Sequence, residues 1–155
     1  MQVEFRDVDG SNWRAVIQLK VRDDQTGFVA SNMKSLVQSQ FDDELKGKVK
    51  TQGIYDDETL VGFIMYGQDD DDPDDETGTL WIIRFMIGAD FQGKGYGRAG
   101  MQHLINIARQ QPETQRVRLS YVPDNAGAQK LYAICGFVEE GIHEEWGEMV
   151  AVLQL

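Results

Sequence analysis

The apolar positions of this chain fall into short segments whose spacing switches between that of strands and that of helices. Residues 3–6 alternate and predict a first strand. Trp13, Val16 and Ile17 share one helical face, with Ser11 or Asn12 placed to cap it. Residues 23–27 break that helix, and Ser31 opens a second one, with Met33, Leu36, Val37 and Phe41 expected inward. Residues 49–55 and 60–67 read as strands joined by the turn Asp56-Asp57-Glu58-Thr59. In residues 81–87 both alternating registers are apolar except at Arg84, which predicts a strand covered on both faces.

A glycine-rich loop follows. Then Met101, Leu104, Ile105 and Ala108, at i, i+3, i+4 and i+7, predict a helix over 97–111 that stops at Pro112. Arg116–Tyr121 alternates and must return parallel to 81–87 by a right-handed crossover. Val122-Pro123 ends it, because proline has no N–H for a ladder. Asp124 is then expected to cap a helix carrying Ala128, Leu131, Tyr132 and Cys135 on one face, with Gly136 as its terminating glycine. Residues 137–143 and 148–155 form a closing hairpin around Trp146-Gly147. The order β-α-α-β-β-β-α-β-α-β-β predicts an α/β (α+β) fold: a mixed, mostly antiparallel sheet with flanking helices.

At 155 residues the chain is long enough for one domain and too short for two. A formal charge of −11 argues against a nucleic-acid or anionic-membrane partner and suits a cationic one. Seven of the acids lie in residues 69–76, DDDDPDDE, expected to be a solvated loop, with attraction of cations as the alternative. No apolar run approaches the roughly 18–20 residues that span a bilayer. The first residues have neither a basic nor an apolar leader segment, so a cytoplasmic location is expected. One cysteine and two histidines leave little to hold a metal, and none is expected.

Strand, glycine loop and helix in that order make an anion cradle, since backbone N–H groups converge at a helix N-terminus. Three motifs compete for it. Gly95, Gly97 and Gly100 satisfy the dinucleotide spacing G-x-G-x-x-G. Three antiparallel strands before the loop disfavour that sheet, and Asp124 is a poor ribose partner beyond Pro123. A Walker loop fails because Lys94 is followed by Gly95. The third pattern, Q/R-x-x-G-x-G/A, is met by Gln92, Gly95 and Gly97. Further on, Asn125, Ala128, Leu131, Tyr132, Gly136 and Phe137 spell N-x-x-A-x-x-L-Y-x-x-x-G-F.

These two motifs, in this order, resemble those of the GNAT superfamily of N-acetyltransferases, and the resemblance covers the whole chain. It implies the GNAT fold, with a splayed parallel strand pair, and acetyl-CoA as cosubstrate. The pantetheine arm would lie along the backbone of Phe85, Met86 and Ile87, by strand addition. The diphosphate would rest on the loop that starts at Gln92 and continues through Gly93, Lys94, Gly95, Tyr96, Gly97 and Arg98. Asn125 is either a cofactor contact or a helix cap. Tyr132 is either core or, as the family implies, the acid that protonates the departing thiolate.

The carboxylate expected two positions before the strand's Phe is missing, since Ile83 stands there. Glu139, Glu140, Glu144 and Glu145 are left as candidate bases. Residues 25–32 and 60–67 are similar to bacterial spermine/spermidine acetyltransferase-like members, which implies a small cationic amine as partner, near Phe28, Asp23 and Asp24. An acetyltransferase for protein N-termini or lysines, and a non-catalytic acetyl-CoA-binding module, are the alternatives. Homodimers are common in this superfamily.

Overall fold

The computed structural model describes residues 1–68 and 77–155. Seven strands form one sheet: β1 (Glu4–Asp7), β2 (Val49–Asp56), β3 (Thr59–Gln68), β4 (Thr79–Ile87), β5 (Arg116–Tyr121), β6 (Val138–Ile142) and β7 (Met149–Gln154). Their order is β1-β2-β3-β4-β5-β7-β6. All neighbours run antiparallel except β4 and β5. Helices α1 (Trp13–Gln18), α2 (Asn32–Phe41), α3 (Tyr96–Arg109) and α4 (Ala126–Ile134) complete the element order expected from the sequence. The acidic run at 69–76 lies outside the described residues.

Two apolar clusters flank the sheet. Met101, Leu104, Ile105 and Ala108 of α3 are buried with Ile82 and Ile87 of β4, Val117 and Leu119 of β5, and Tyr132 of α4. On the opposite face Val16 of α1 is buried with Phe63, Met65 and Met86, and Leu36 and Ile83 pack against them. Strand β4 is therefore covered on both sides, as its pattern predicts. Near its middle Met65 pairs with Arg84 and Tyr66 with Ile82, so Ile83 is the extra residue of a bulge. The bulge turns two consecutive side chains to one face. Ile83 packs into the α1/α2 cluster, and the Arg84 guanidinium donates to Gln38 Oε1 on α2 at 3.1 Å.

Three local expectations are corrected. Helix α2 turns its small polar side to the sheet: Asn32, Ser35 and Ser39 are buried, while Met33, Val37 and Phe41 are 58%, 52% and 79% exposed. The reason is the end of α1, whose carbonyls need donors. Asn32 Nδ2 supplies them, to Val16 O at 2.9 Å and Leu19 O at 3.2 Å. Helix α4 is capped by Asn125 rather than Asp124, through Asn125 Oδ1 accepting from the Ala128 N–H at 3.1 Å. At α1, Asn12 occupies the capping position, but its side chain accepts from the Asp9 N–H behind it. Ser31 caps α2 as expected, accepting from Lys34 N–H. Gly136 ends α4 with φ +96°, where a side chain would be strained.

The feature that makes a site is where β4 and β5 stop pairing. Thr79 to Ile82 pair with Arg116 to Leu119 and no further. Beyond that point β4 runs on to Ile87 beside β3, and β5 runs on to Tyr121 beside β7. A gap opens inside the sheet.

Candidate active site

The gap forms part of a cavity of ≈ 1090 Å³. Strand β4 lines it from Trp81 to Ile87, and β5 supplies Leu119, Ser120 and Tyr121. Residues 25–30 between α1 and α2 form another wall, and Asn125, Ala128, Leu131 and Tyr132 of α4 a third. Gln92, Gly93 and Gly97 close one end, and Trp146 and Glu148, around the β6–β7 turn, stand at the other side of β5.

The glycine loop has the geometry its composition calls for. Gly93 and Gly95 lie at φ +72° and +92°, a region that side chains rarely adopt. Gly95 precedes α3 directly, so the free N–H groups of that helix's first turn face out beside the loop. A Cβ on Gly97 would meet Leu131 Cδ2 at 3.3 Å and intrude on the cavity wall. Gln92 anchors the loop. Its Nε2 donates to Ile87 O at 2.9 Å and to Gln25 Oε1 at 2.8 Å, and Gln25 Nε2 donates back to Gln92 Oε1 at 3.1 Å. One amide pair thus clasps the end of β4, the loop and the α1–α2 segment.

Of the residues singled out in the sequence, Phe85, Met86, Ile87, Gln92, Gly93, Gly97, Asn125 and Tyr132 meet on the cavity wall, as does Phe28. Lys94, Gly95, Tyr96 and Arg98 do not line it. Lys94 Nζ donates to Asp90 O at 2.7 Å. Tyr96 Oη donates to Asp56 Oδ2 at 2.6 Å, a bond that raises the phenol pKa. Arg98 is exposed on the first turn of α3. Asp23 and Asp24 also lie off the wall, with Asp24 beside Arg22 at 3.5 Å.

Tyr132 is 8% exposed and packs against Tyr121 and Phe137, with ring centroids 5.6 and 5.9 Å away. Burial pushes its phenol pKa well above the ordinary value, and Cys135 and Tyr121 add to the rise. Its hydroxyl makes no hydrogen bond among the described residues. Tyr121 is pushed up to about 12, first by burial and then by its bond to Glu139.

The four glutamates proposed from the sequence are elsewhere. Glu139 accepts from Tyr121 Oη and from Gln129, which holds its carboxyl below the usual range. Glu140 pairs with Arg118 at 2.8 Å, and Glu144 and Glu145 are exposed beyond the wall. Among the described residues the partly buried glutamate on the wall is Glu148, one residue before β7. Sequence reasoning passed over it, because only the docking of β7 on β5 brings it, one residue beyond the ladder, within reach of the Ser120 hydroxyl. The alternation of residues 148–155 was the available signal.

A split parallel pair, a glycine loop at its mouth and an asparagine-to-tyrosine helix across it form one constellation, and comparison with known proteins agrees with it. The model of the Acetyltransferase (GNAT) family matches residues 13–137. The chain belongs to the GNAT acetyltransferase family. This GNAT enzyme is an acetyl-CoA-dependent N-acetyltransferase, and the dinucleotide and non-catalytic readings fall away. It is 31% identical over 156 aligned residues to the spermine/spermidine N(1)-acetyltransferase of Bacillus subtilis (strain 168), with each chain fully covered. Among solved structures, an aminoglycoside acetyltransferase bound to coenzyme A superposes with a TM-score of 0.79 at 18% identity, covering 99% of this chain and 95% of that one. A spermidine N-acetyltransferase from Vibrio cholerae in complex with CoA and spermine gives 0.71 at 18%, with the same coverage. Among the described residues no group of His, Cys, Asp or Glu is arranged to hold a metal ion. No helix there is long and apolar enough to cross a membrane.

Proposed function

We propose that this GNAT enzyme acetylates a primary amine of a small polyamine or diamine, by direct attack of the amine on the thioester. The observation that carries the reading is the cavity itself. It runs through the gap between β4 and β5, from the glycine loop to a hairpin that offers an aromatic ring and a carboxylate. Full-length similarity to a spermine/spermidine acetyltransferase supports the polyamine class. So does the wall chemistry. Trp146 stacks on His143 at 3.7 Å and meets Trp81 edge-on at 6.1 Å, a surface on which an alkylammonium is attracted by the ring faces.

In this reading Phe85, Met86 and Ile87 offer their free backbone edge to the amide arm of acetyl-CoA. The N–H groups of Gly93, Lys94, Gly95, Tyr96, Gly97 and Arg98 take the diphosphate. Gln92 shapes that loop from within through its bonds to Ile87 and Gln25. Asn125 caps α4 and, from the wall, borders the arm. Tyr132 directs its unpaired hydroxyl at the sulfur.

The diphosphate assignment is tested at two glycines that fail for different reasons. Gly95→Val strains a backbone at φ +92°, whereas Gly97→Val places methyls against Leu131 and into the cavity. Each is expected to weaken acetyl-CoA binding at least tenfold by calorimetry. Normal binding by both folded variants would remove the loop from the cosubstrate site. The acceptor is tested by thiol release from acetyl-CoA with spermine, spermidine, putrescine, an aminoglycoside and a short peptide. A preference for the aminoglycoside or the peptide over all three polyamines would overturn the proposed class.

A further inference from the structure

An alkylamine of pKa ≈ 10.4 holds a free lone pair in only about one molecule in a few thousand at pH 7, so its acetylation needs a proton acceptor. Ile83 stands where the resemblance would have put a carboxylate. We infer that Glu148 is the base that deprotonates the acceptor, supplied from the β6–β7 hairpin across the split instead of from β4. This assignment rests on the amine-acetylation reading.

Among the described residues, the geometry favours Glu148 over the other carboxylates. Pairing of β4 with β5 ends at Leu119, and Ser120 is the first β5 residue past the split. Its Oγ donates to Glu148 Oε2 at 3.2 Å, which fixes the carboxylate at the vertex of the gap. On the far side stands Arg84, whose half-buried guanidinium is lowered in pKa by desolvation and partly restored by attraction to Glu148. Arg84 is turned away to other partners, the Ile83 carbonyl at 2.9 Å and Gln38 at 3.1 Å. Glu148 makes no ion pair with any described cation, so its remaining oxygen is open to an ammonium. Trp146, two residues earlier, lines the same wall. Glu44, the other described glutamate of the wall, is exposed.

The proton accounting closes without a further reactant. Glu148 takes a proton from the ammonium and later passes it to water. The freed lone pair forms the new C–N bond as the C–S bond breaks. The thiolate receives the Tyr132 proton, and Tyr132 recovers one from the nitrogen as it becomes an amide. The sum is ammonium plus thioester giving amide, thiol and one proton to solvent.

Other charged and titratable groups on the adjoining elements are Arg84 on β4, Arg116, Arg118 and Tyr121 on β5, and Glu139 and Glu140 on β6. His143 in the hairpin donates its backbone N–H to Glu148 O at 2.8 Å. The deciding experiment is therefore the pH profile of kcat/KM for wild type, Glu148→Gln and His143→Gln, read on whichever amine of the panel the wild type acetylates. A wrong acceptor then removes the polyamine reading and leaves this test intact. Glu148→Gln keeps the shape and an acceptor for Ser120, and calorimetry with acetyl-CoA checks that the site is built. At pH 7 it is expected to lose at least about 10²-fold. The loss should shrink about tenfold per pH unit toward the amine pKa, as free amine replaces the missing base, while wild type stays level. His143→Gln, which removes the ring stacked on Trp146, is expected to lower kcat/KM by one constant factor at every pH. A loss in Glu148→Gln that stays constant across pH would make Glu148 a positioning residue and overturn the proposal, as would full activity at pH 7 or a rising slope in His143→Gln instead.

Discussion

Tyr132→Phe is expected to lower kcat by about 10²–10⁴-fold while acetyl-CoA affinity and melting temperature change little. Phenylalanine keeps the ring that packs on Tyr121 and Phe137 and removes only the hydroxyl. That hydroxyl has no partner among the described residues, so its loss breaks no hydrogen bond there. A tyrosine held only for packing would behave otherwise: about 1 kcal/mol of stability at most and kcat within a few-fold. The raised pKa sharpens the picture. Desolvation keeps the phenol protonated at neutral pH and makes a free phenolate expensive. Transfer to a thiolate of pKa near 8.5 is then steeper than ordinary values suggest, so proton donation and proton recovery must be closely coupled. Near-normal kcat in a folded variant whose product release is fast would take Tyr132 out of the chemistry.

Asn32→Ala is expected to cost about 2–3 kcal/mol and to lower the melting temperature by roughly 5–10 °C. Asn32 is 4% exposed and its amide serves two carbonyls at the end of α1. Alanine leaves Leu19 O without a donor and unties α2 from α1. Residues 25–30, between those helices, form a wall of the cavity. A rise in acceptor KM should therefore accompany the lost stability, with a smaller effect on acetyl-CoA binding. An unchanged melting temperature would mean that water or a shifted backbone satisfies the carbonyls.

The elements were legible in the sequence wherever one physical cause dominated. Strand β4 is apolar in both registers because both faces are covered, and α3 announces itself through four buried residues at helical spacing. The glycine loop was legible because φ values of +72° and +92° demand glycine. Helix α2 misled because its packing answers to the unpaired carbonyls of α1, a tertiary need that leaves no periodic trace. Its apolar Met33, Val37 and Phe41 point outward instead. Asn125 and Asp124 are both good caps by type, and only the bond to Ala128 separates them. Glu148 stayed hidden for a third reason. Its meaning comes from Ser120 and Arg84 on two other strands, and a register between strands is not written in either one.

Because only four residue pairs join β4 to β5, the sheet is two half-sheets meeting at a short seam. One half holds β1 to β4, the other β5, β7 and β6. A ligand arm lying along residues 85–87 would act as an inserted strand and lengthen that seam. Amide hydrogen exchange along β4 beyond the pairing, and at Ser120 and Tyr121, should slow when acetyl-CoA is added, more than on the outer strands. The cosubstrate would then do for this sheet what a missing strand does for others: it would finish the ladder.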